Sequence, residues 1–256
     1  MGNKLTNKVF VSTRPTGQNK ELSRLIENEN GKLIELPTIE IVSANLTYED
    51  EELLQHINQF SWIVFSSYNC IRFFFDKLYE VNGSYYLPSS IKIATIGNKT
   101  SKILIEYGHE TTLENAGSTG EDLAQELLKA VNSDDYILFP EGNLARGTIA
   151  EIVSKKAECA KLVVYSNELP KNIDTKIANQ IINDRYSSII LTSPSCFNNL
   201  LKILDNKSNE KNLRLICIGA TTASEVRSKG ITPLATAKIA TVDGIFDTIL
   251  ETFSIR

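Results

Sequence analysis

Histidine is nearly absent: His56 and His109 are the only two in 256 residues. That argues against a His-ligated metal site and against a Ser-His-Asp triad. Cysteine is scarce too, and Cys70, Cys159, Cys196 and Cys217 form no C-x-x-C pair. They read as reduced, small, buried hydrophobes of a cytoplasmic protein. No run of about 18 apolar residues occurs, so no membrane span is expected. The start "MGNKLTNKVFVSTRP" has no apolar h-region and no cleavage site, which again predicts a cytoplasmic location. "IGNKTSK" lacks the spacing of a Walker loop, and no G-x-G-x-x-G follows a strand. A dinucleotide cofactor therefore has no support. Positive charge is not in excess: the net charge of −4 argues against nucleic acid as a partner. A small anionic ligand remains compatible, because local amides and a few cations suffice to hold one.

What is present is ordinary for a globular chain: 42% apolar and 23% charged residues, 13 Gly and 7 Pro. The length suits one large domain or two small ones. The chain repeats itself. "IVFSSYNCIRFF" (63–74) lies over "IILTSPSCFNNL" (189–200) at an offset of 126. "IATIGNKTSKILIEYG" lies over "ICIGATTASEVRSKG", with Gly97, Thr100 and Gly108 on Gly219, Thr222 and Gly230 at an offset of 122. The same offset carries Thr119 and Leu123 onto Thr241 and Ile245. "YILFPEGNLARGTIAEI" (136–152) lies over "VFVSTRPTGQNKELSRL" (9–25). Several matches in consistent order predict a duplicated unit.

Each copy alternates strand and helix. "WIVFSS" and "SSIILTS" read as buried parallel strands ending in polar turns. Ile71, Phe74, Phe75 and Leu78, and again Phe197, Leu200, Leu201 and Leu204, sit at i, i+3, i+4 and i+7, the apolar stripe of a helix. Gly108 and Gly230 are predicted to close the helices after the next strands. This βαβ rhythm implies parallel sheets. "KLIELPTIEIV" (32–42) and "KLVVYSNELP" (161–170) are extended, Pro-containing segments between the copies. The expected layout is a discontinuous α/β domain of residues 1–37 plus 170–256, holding both termini, and an inserted α/β domain of residues 40–167. A ligand cleft is expected between them, bordered by the turns at the carboxyl ends of the strands.

Those turns carry the candidate site. Ser66, Ser67, Thr192, Ser193 and Ser195 sit at strand-to-helix junctions, as do Gly97, Asn98 and Thr100 with their counterparts Gly219, Thr221 and Thr222. Helix N-termini offer free N–H groups and partial positive charge, which suits carboxylates or phosphates. Each hydroxyl taken alone reads equally as a cap for its own helix. As a set in two copies they point to a ligand with several anionic groups. Gly142 and Arg146 lie in the turn "FPEGNLARG", and Arg14 is a lone cation at the end of the first strand. Either arginine is an anion contact or a solvated residue.

Together, "FSSYNCIRFF", "IGNKT", "LFPEGNLAR", the tyrosine of "VVYSNELP", "LTSPSCFNNL" and "CIGATTASEVRSKG" resemble the uroporphyrinogen-III synthase family, over about residues 8–250. "FSSYNC" lacks the proline of its second copy, a departure confined to the first turn. The resemblance implies two flavodoxin-like parallel-sheet domains joined by a two-stranded antiparallel linker. It also implies conversion of hydroxymethylbilane to uroporphyrinogen III, with ring D inversion and loss of water, in heme biosynthesis. No cofactor and no metal are needed, and the expected protein is a monomer with a small-molecule substrate and no membrane or nucleic-acid partner. Tyr165 matches the family tyrosine that assists departure of the hydroxyl; its other reading is a packing residue with a satisfied phenol. Two alternatives compete with the enzyme. One is a non-catalytic anion-binding or regulatory module of the same fold. The other is a pair of receiver-like domains, which would need clustered carboxylates at the strand ends, where Glu141 stands isolated.

Overall fold

The computed structural model describes residues 3–115, 119–205 and 212–254. By backbone proximity the chain divides into Met1–Glu40 with Glu168–Arg256, called unit 1, and Ile41–Asn167, called unit 2.

Unit 1 contains β1 (Val9–Ser12), α1 (Lys20–Asn28) and β2 (Lys32–Glu35), then α7 (Thr175–Ile182), β9 (Ser188–Leu191), α8 (Pro194–Leu204), β10 (Leu215–Cys217), α9 (Ala220–Ser228), β11 (Ala235–Thr236) and α10 (Val242–Phe253). Unit 2 contains β3 (Glu40–Ser43), α2 (Tyr48–Gln55), β4 (Trp62–Phe65), α3 (Tyr68–Asn82), β5 (Lys92–Ile96) and α4 (Asn98–Glu106). It continues with β6 (Leu113–Asn115), α5 (Gly120–Ala130), β7 (Tyr136–Gly142), α6 (Thr148–Val153) and β8 (Glu158–Glu168). Of the two extended segments, residues 32–42 form two strands, and only the second, β3, neighbours β8.

The sheet of unit 1 runs β11-β10-β9-β1-β2 and that of unit 2 runs β3-β8-β7-β4-β5-β6. Among the described residues, β1 pairs in parallel with β2 and β9, β9 with β10, β4 with β5 and β7, and β7 with β8. In chain terms unit 1 has the flavodoxin order 2-1-3-4-5. Unit 2 places the matching strands in the same spatial order, β4 for β9, β5 for β10, β6 for β11, β7 for β1 and β8 for β2. Its chain enters at a different strand, so its own order reads 3-2-1-4-5, with β3 added outside β8. The repeat is therefore a circular permutation, which is why the match of 136–152 to 9–25 runs against chain order.

Local chemistry explains the matched elements. β4 and β9 are buried along their whole length, as strands covered on both faces must be. In unit 2, Ile63, Phe65, Ile71, Phe74, Phe75 and Leu78 pack on one face, and Trp62, Val64, Leu123, Leu127, Ile137 and Phe139 on the other. Each such side chain contributes about 1.5–3 kcal/mol when fully buried. In unit 1, Phe10, Leu22, Ile26, Ile190, Ile245 and Ile249 form one such face. Thr119 caps α5 and its counterpart Thr241 caps α10 through the same hydroxyl-to-backbone bond. Ser118, beside Thr119 and by residue type also suited to cap this helix, lies outside the described residues. Gly108 and Gly230 take φ of 80° and 76° at equivalent helix ends. The amide of each glycine and the one after it bond back into the last turn, Gly108 N to Ile105 O and His109 N to Leu104 O, Gly230 N to Arg227 O and Ile231 N to Val226 O. This is the left-handed ending that glycine makes cheaply.

Candidate active site

In an open parallel sheet the strand order reverses at one point, and a crevice opens there beyond the carboxyl ends. In unit 2 that point lies between β4 and β7. A cavity of about 380 Å³ occupies it, inside the range of about 300–1,000 Å³ usual for small-molecule sites. Ser66 and Ser67 line it from the β4–α3 turn and Cys70 from the first turn of α3, Glu141 and Gly142 from the end of β7, Arg146 from the β7–α6 turn, and Tyr165 from β8. Val64, Ile96, Phe139, Leu144 and Ile149 supply apolar wall.

The turn residues are held by their own helix. Ser67 caps α3, its hydroxyl accepting from Cys70 N at 3.3 Å and donating to Cys70 Sγ at 3.2 Å. Ser66 Oγ lies 3.5 Å from the same sulfur. Tyr165 is fixed by stacking on Phe73, with ring centroids 5.5 Å apart and an interplanar angle of 29°. The ring also explains Gly142: a Cβ there would lie 2.5 Å from two ring carbons of Tyr165, so any side chain at that position displaces the ring. The β7–β8 register slips between Glu141 and Gly142, pairing Gly142 with Tyr165 rather than Val164. Such a bulge re-aims the side chains beside it.

Burial pushes the Tyr165 phenol up to about 12, with nearby Cys70 and Glu141 adding to the rise and a hydrogen bond with Ser67 opposing it. The phenol is therefore a neutral hydrogen-bond donor at physiological pH. Burial also raises the Glu141 carboxyl, against the pull of Lys161. Arg146 is exposed at the edge of the cavity. The set offers a phenol donor, two hydroxyls, one carboxylate and one guanidinium in partly apolar surroundings. It can hold an acidic ligand and hand a proton to a departing oxygen.

Ser66, Ser67, Gly142, Arg146 and Tyr165 thus share one cavity, whereas Gly97, Asn98 and Thr100 lie at the β5–α4 turn beside it. Only their neighbour Ile96 lines the wall. Asn98 is exposed and Thr100 is buried. In unit 1, Ser193 caps α8 by accepting from Cys196 N at 3.1 Å. Thr192 Oγ1 lies 3.8 Å from Cys196 Sγ, and Ser195 is half-buried in the first turn of α8. Gly219 precedes α9; Thr221 is exposed and Thr222 is buried. Arg14, half-buried after β1, keeps its Nη1 buried with no hydrogen-bond partner among the described residues. Its pKa is lowered by burial, against the pull of Cys196 and Glu21. Glu141 and Cys70 were passed over in the sequence, the first as an isolated acid and the second as a buried hydrophobe. The spacing of Cys70 at three and four residues from Ser67 and Ser66 was the available signal.

The family model described as uroporphyrinogen-III synthase HemD matches residues 20–247. The porphyrin biosynthesis protein HemD of Ruminiclostridium josui is 24% identical over 245 residues, 95% of this chain but 48% of that protein. The chain therefore spans about half the length of that relative. Uroporphyrinogen-III synthase of Chlorobaculum parvum is 25% identical over 233 residues, 88% of this chain and 90% of that one. Among solved structures, uroporphyrinogen-III synthetase from Helicobacter pylori matches with a TM-score of 0.63 at 16% identity, covering 95% of this chain and 99% of the other. At that identity the likeness speaks to the fold alone.

Proposed function

This chain belongs to the uroporphyrinogen-III synthase family, and on that premise we propose that it cyclises hydroxymethylbilane to uroporphyrinogen III, inverting ring D and releasing water. The observation that carries the reading is the neutral phenol of Tyr165, held by stacking on Phe73 and close against Gly142 in a switch-point cavity. A 2-hydroxymethylpyrrole needs little help to ionise, because the ring nitrogen supplies the electron pair. Departure of the oxygen is eased by one good donor, and Tyr165 fills that role. The rest of the work is positioning. Ser66, Ser67, Gly142 and Arg146 hold substrate groups at the cavity. Gly97, Asn98 and Thr100 in unit 2, and Arg14, Thr192, Ser193, Ser195, Gly219, Thr221 and Thr222 in unit 1, hold substrate carboxylates through turn amides, hydroxyls and the free Nη1 of Arg14. A capping hydroxyl still has capacity for a further bond, so the capping roles of Ser67 and Ser193 are compatible with this.

In this reading the chain is a cytoplasmic monomer that uses no cofactor or metal. No helix among the described residues is long and apolar enough to cross a membrane. The test is to incubate the protein with freshly made hydroxymethylbilane, oxidise the products and separate the isomers. An excess of type III over type I is expected. The spontaneous mixture, dominated by type I, contradicts the proposal.

A further inference from the structure

The duplication places Glu141 over Arg14: "LFPEG" lies on "VSTRP", so matched positions near the carboxyl end of β7 and just beyond β1 hold an acid in one unit and a base in the other. A cavity that admits part of a polyanion gains nothing in binding from a carboxylate of its own. Yet Glu141 lines the cavity beside Tyr165, at a bulge that fixes where its side chain starts. The titratable groups around it are Lys161 and the neutral phenol of Tyr165 on β8, and Arg146 at the cavity edge. A group that hinders ground-state binding and lines the same cavity as the phenol donor is useful only if its charge is wanted later, when positive charge appears.

We propose that Glu141 is a catalytic carboxylate that stabilises the cation formed when the hydroxyl group leaves. The inference rests on the hydroxymethylbilane reading above. In this step the C–O bond breaks with its electron pair going to oxygen. The oxygen takes the Tyr165 proton and departs as water. The pyrrole nitrogen's electron pair forms a C=N bond, leaving an azafulvenium cation opposite the Glu141 carboxylate. Attack by the substituted carbon of ring D forms a spiro centre and moves the positive charge onto that ring. The older bond from that carbon to its bridging methylene then breaks, its electron pair restoring ring D and leaving a second azafulvenium cation on ring C. The free α-carbon of ring D attacks that methylene, which closes the macrocycle with ring D inverted. The proton lost when the final ring regains aromaticity returns to the Tyr165 phenolate, so the enzyme is restored and the net change is loss of water. Burial leaves the carboxylate incompletely solvated, as its raised pKa reflects. A fixed, poorly solvated charge acts strongly on a charge that develops next to it.

The test is steady-state kinetics of Glu141→Gln, which keeps the shape and removes the charge. We expect kcat to fall by about 10–100-fold. KM should fall by about threefold, because a charge that repels the substrate carboxylates is gone; reduced kcat with reduced KM is the signature of a lost ground-state penalty. Glu141→Asp, which keeps the charge, should recover part of the kcat. A Gln variant with wild-type kcat, or one whose defect is a raised KM alone, overturns the proposal. So does equal kcat for the Gln and Asp variants. A wild-type chain that forms no uroporphyrinogen III overturns the parent reading before any variant is compared, so the two failures are distinguishable.

Discussion

The switch points of the two units are built from matched residues and put to different use. In unit 1, Thr38 just beyond β2 donates its hydroxyl to Thr13 O at 3.2 Å and Cys196 O at 3.1 Å. Cys196 Sγ lies 3.6 Å from Thr13 O, and Asn199 Nδ2 donates to Thr38 O at 2.8 Å. The chain just after β1, the chain after β2 and the first turns of α8 are thereby stitched to one another. In unit 2 the strand matching β2 runs on as β8 and presents Tyr165 instead. Cys70, the counterpart of Cys196, meets the hydroxyls of Ser66 and Ser67 and the Tyr165 phenol rather than a strand carbonyl. One copy has its switch-point hydrogen bonds committed to the fold, and the other keeps a cavity with a donor inside it. A duplicated frame can thus divide its labour, one copy for scaffold and grip and the other for chemistry.

Three changes test this contrast, in falling order of expected effect. Gly142→Ala puts a methyl group 2.5 Å from the Tyr165 ring, which must then move. Displacement of a reacting group by about 1 Å costs about 10²-fold, so kcat should fall by at least that much. Retained kcat would mean that the ring position is unimportant. Thr38→Val acts on the other copy. It removes the hydroxyl's bonds to two buried carbonyls, of which Thr13 O keeps the Thr38 amide, and should destabilise the protein by about 0.5–1.5 kcal/mol in urea unfolding, with kcat per folded molecule unchanged. A selective loss of kcat there would erase the distinction between the units. The smallest effect is in the cysteine pair. Cys70→Ala should lower kcat by about 3–10-fold, the worth of one hydrogen bond, while Cys196→Ala should alter stability without altering kcat. Equal kinetic effects would show that neither thiol is specific to the phenol.

Much of the frame was legible because it depends on periodicity and on residues with one conformational job. The stripes Ile71–Phe74–Phe75–Leu78 and Phe197–Leu200–Leu204 are buried, with Leu201 half-buried at the edge of the second. Gly108 and Gly230 close their helices as their sequence positions imply. The hydroxyl turns were legible as caps, since Ser67 and Ser193 bond the third amide of the helix they begin. The cavity was less so. Its defining contact, Gly142 against Tyr165, joins residues on neighbouring strands through a register slip, and no local pattern encodes a slip. Likewise the roles of Glu141 and Cys70 come from what burial and neighbours do to single side chains, which spacing along one chain does not reveal.

The central claim is that the phenol in the unit 2 cavity helps expel the hydroxyl of the substrate. Tyr165→Phe removes one oxygen and keeps the stacking on Phe73. The decisive measurement is kcat for hydroxymethylbilane with this variant, followed by chromatographic separation of the isomers. The account predicts a fall of about 10–100-fold, at or below the low end for a general acid because the pyrrole already drives ionisation. The product should stay largely type III. Unchanged kcat would return Tyr165 to a packing role and contradict the account.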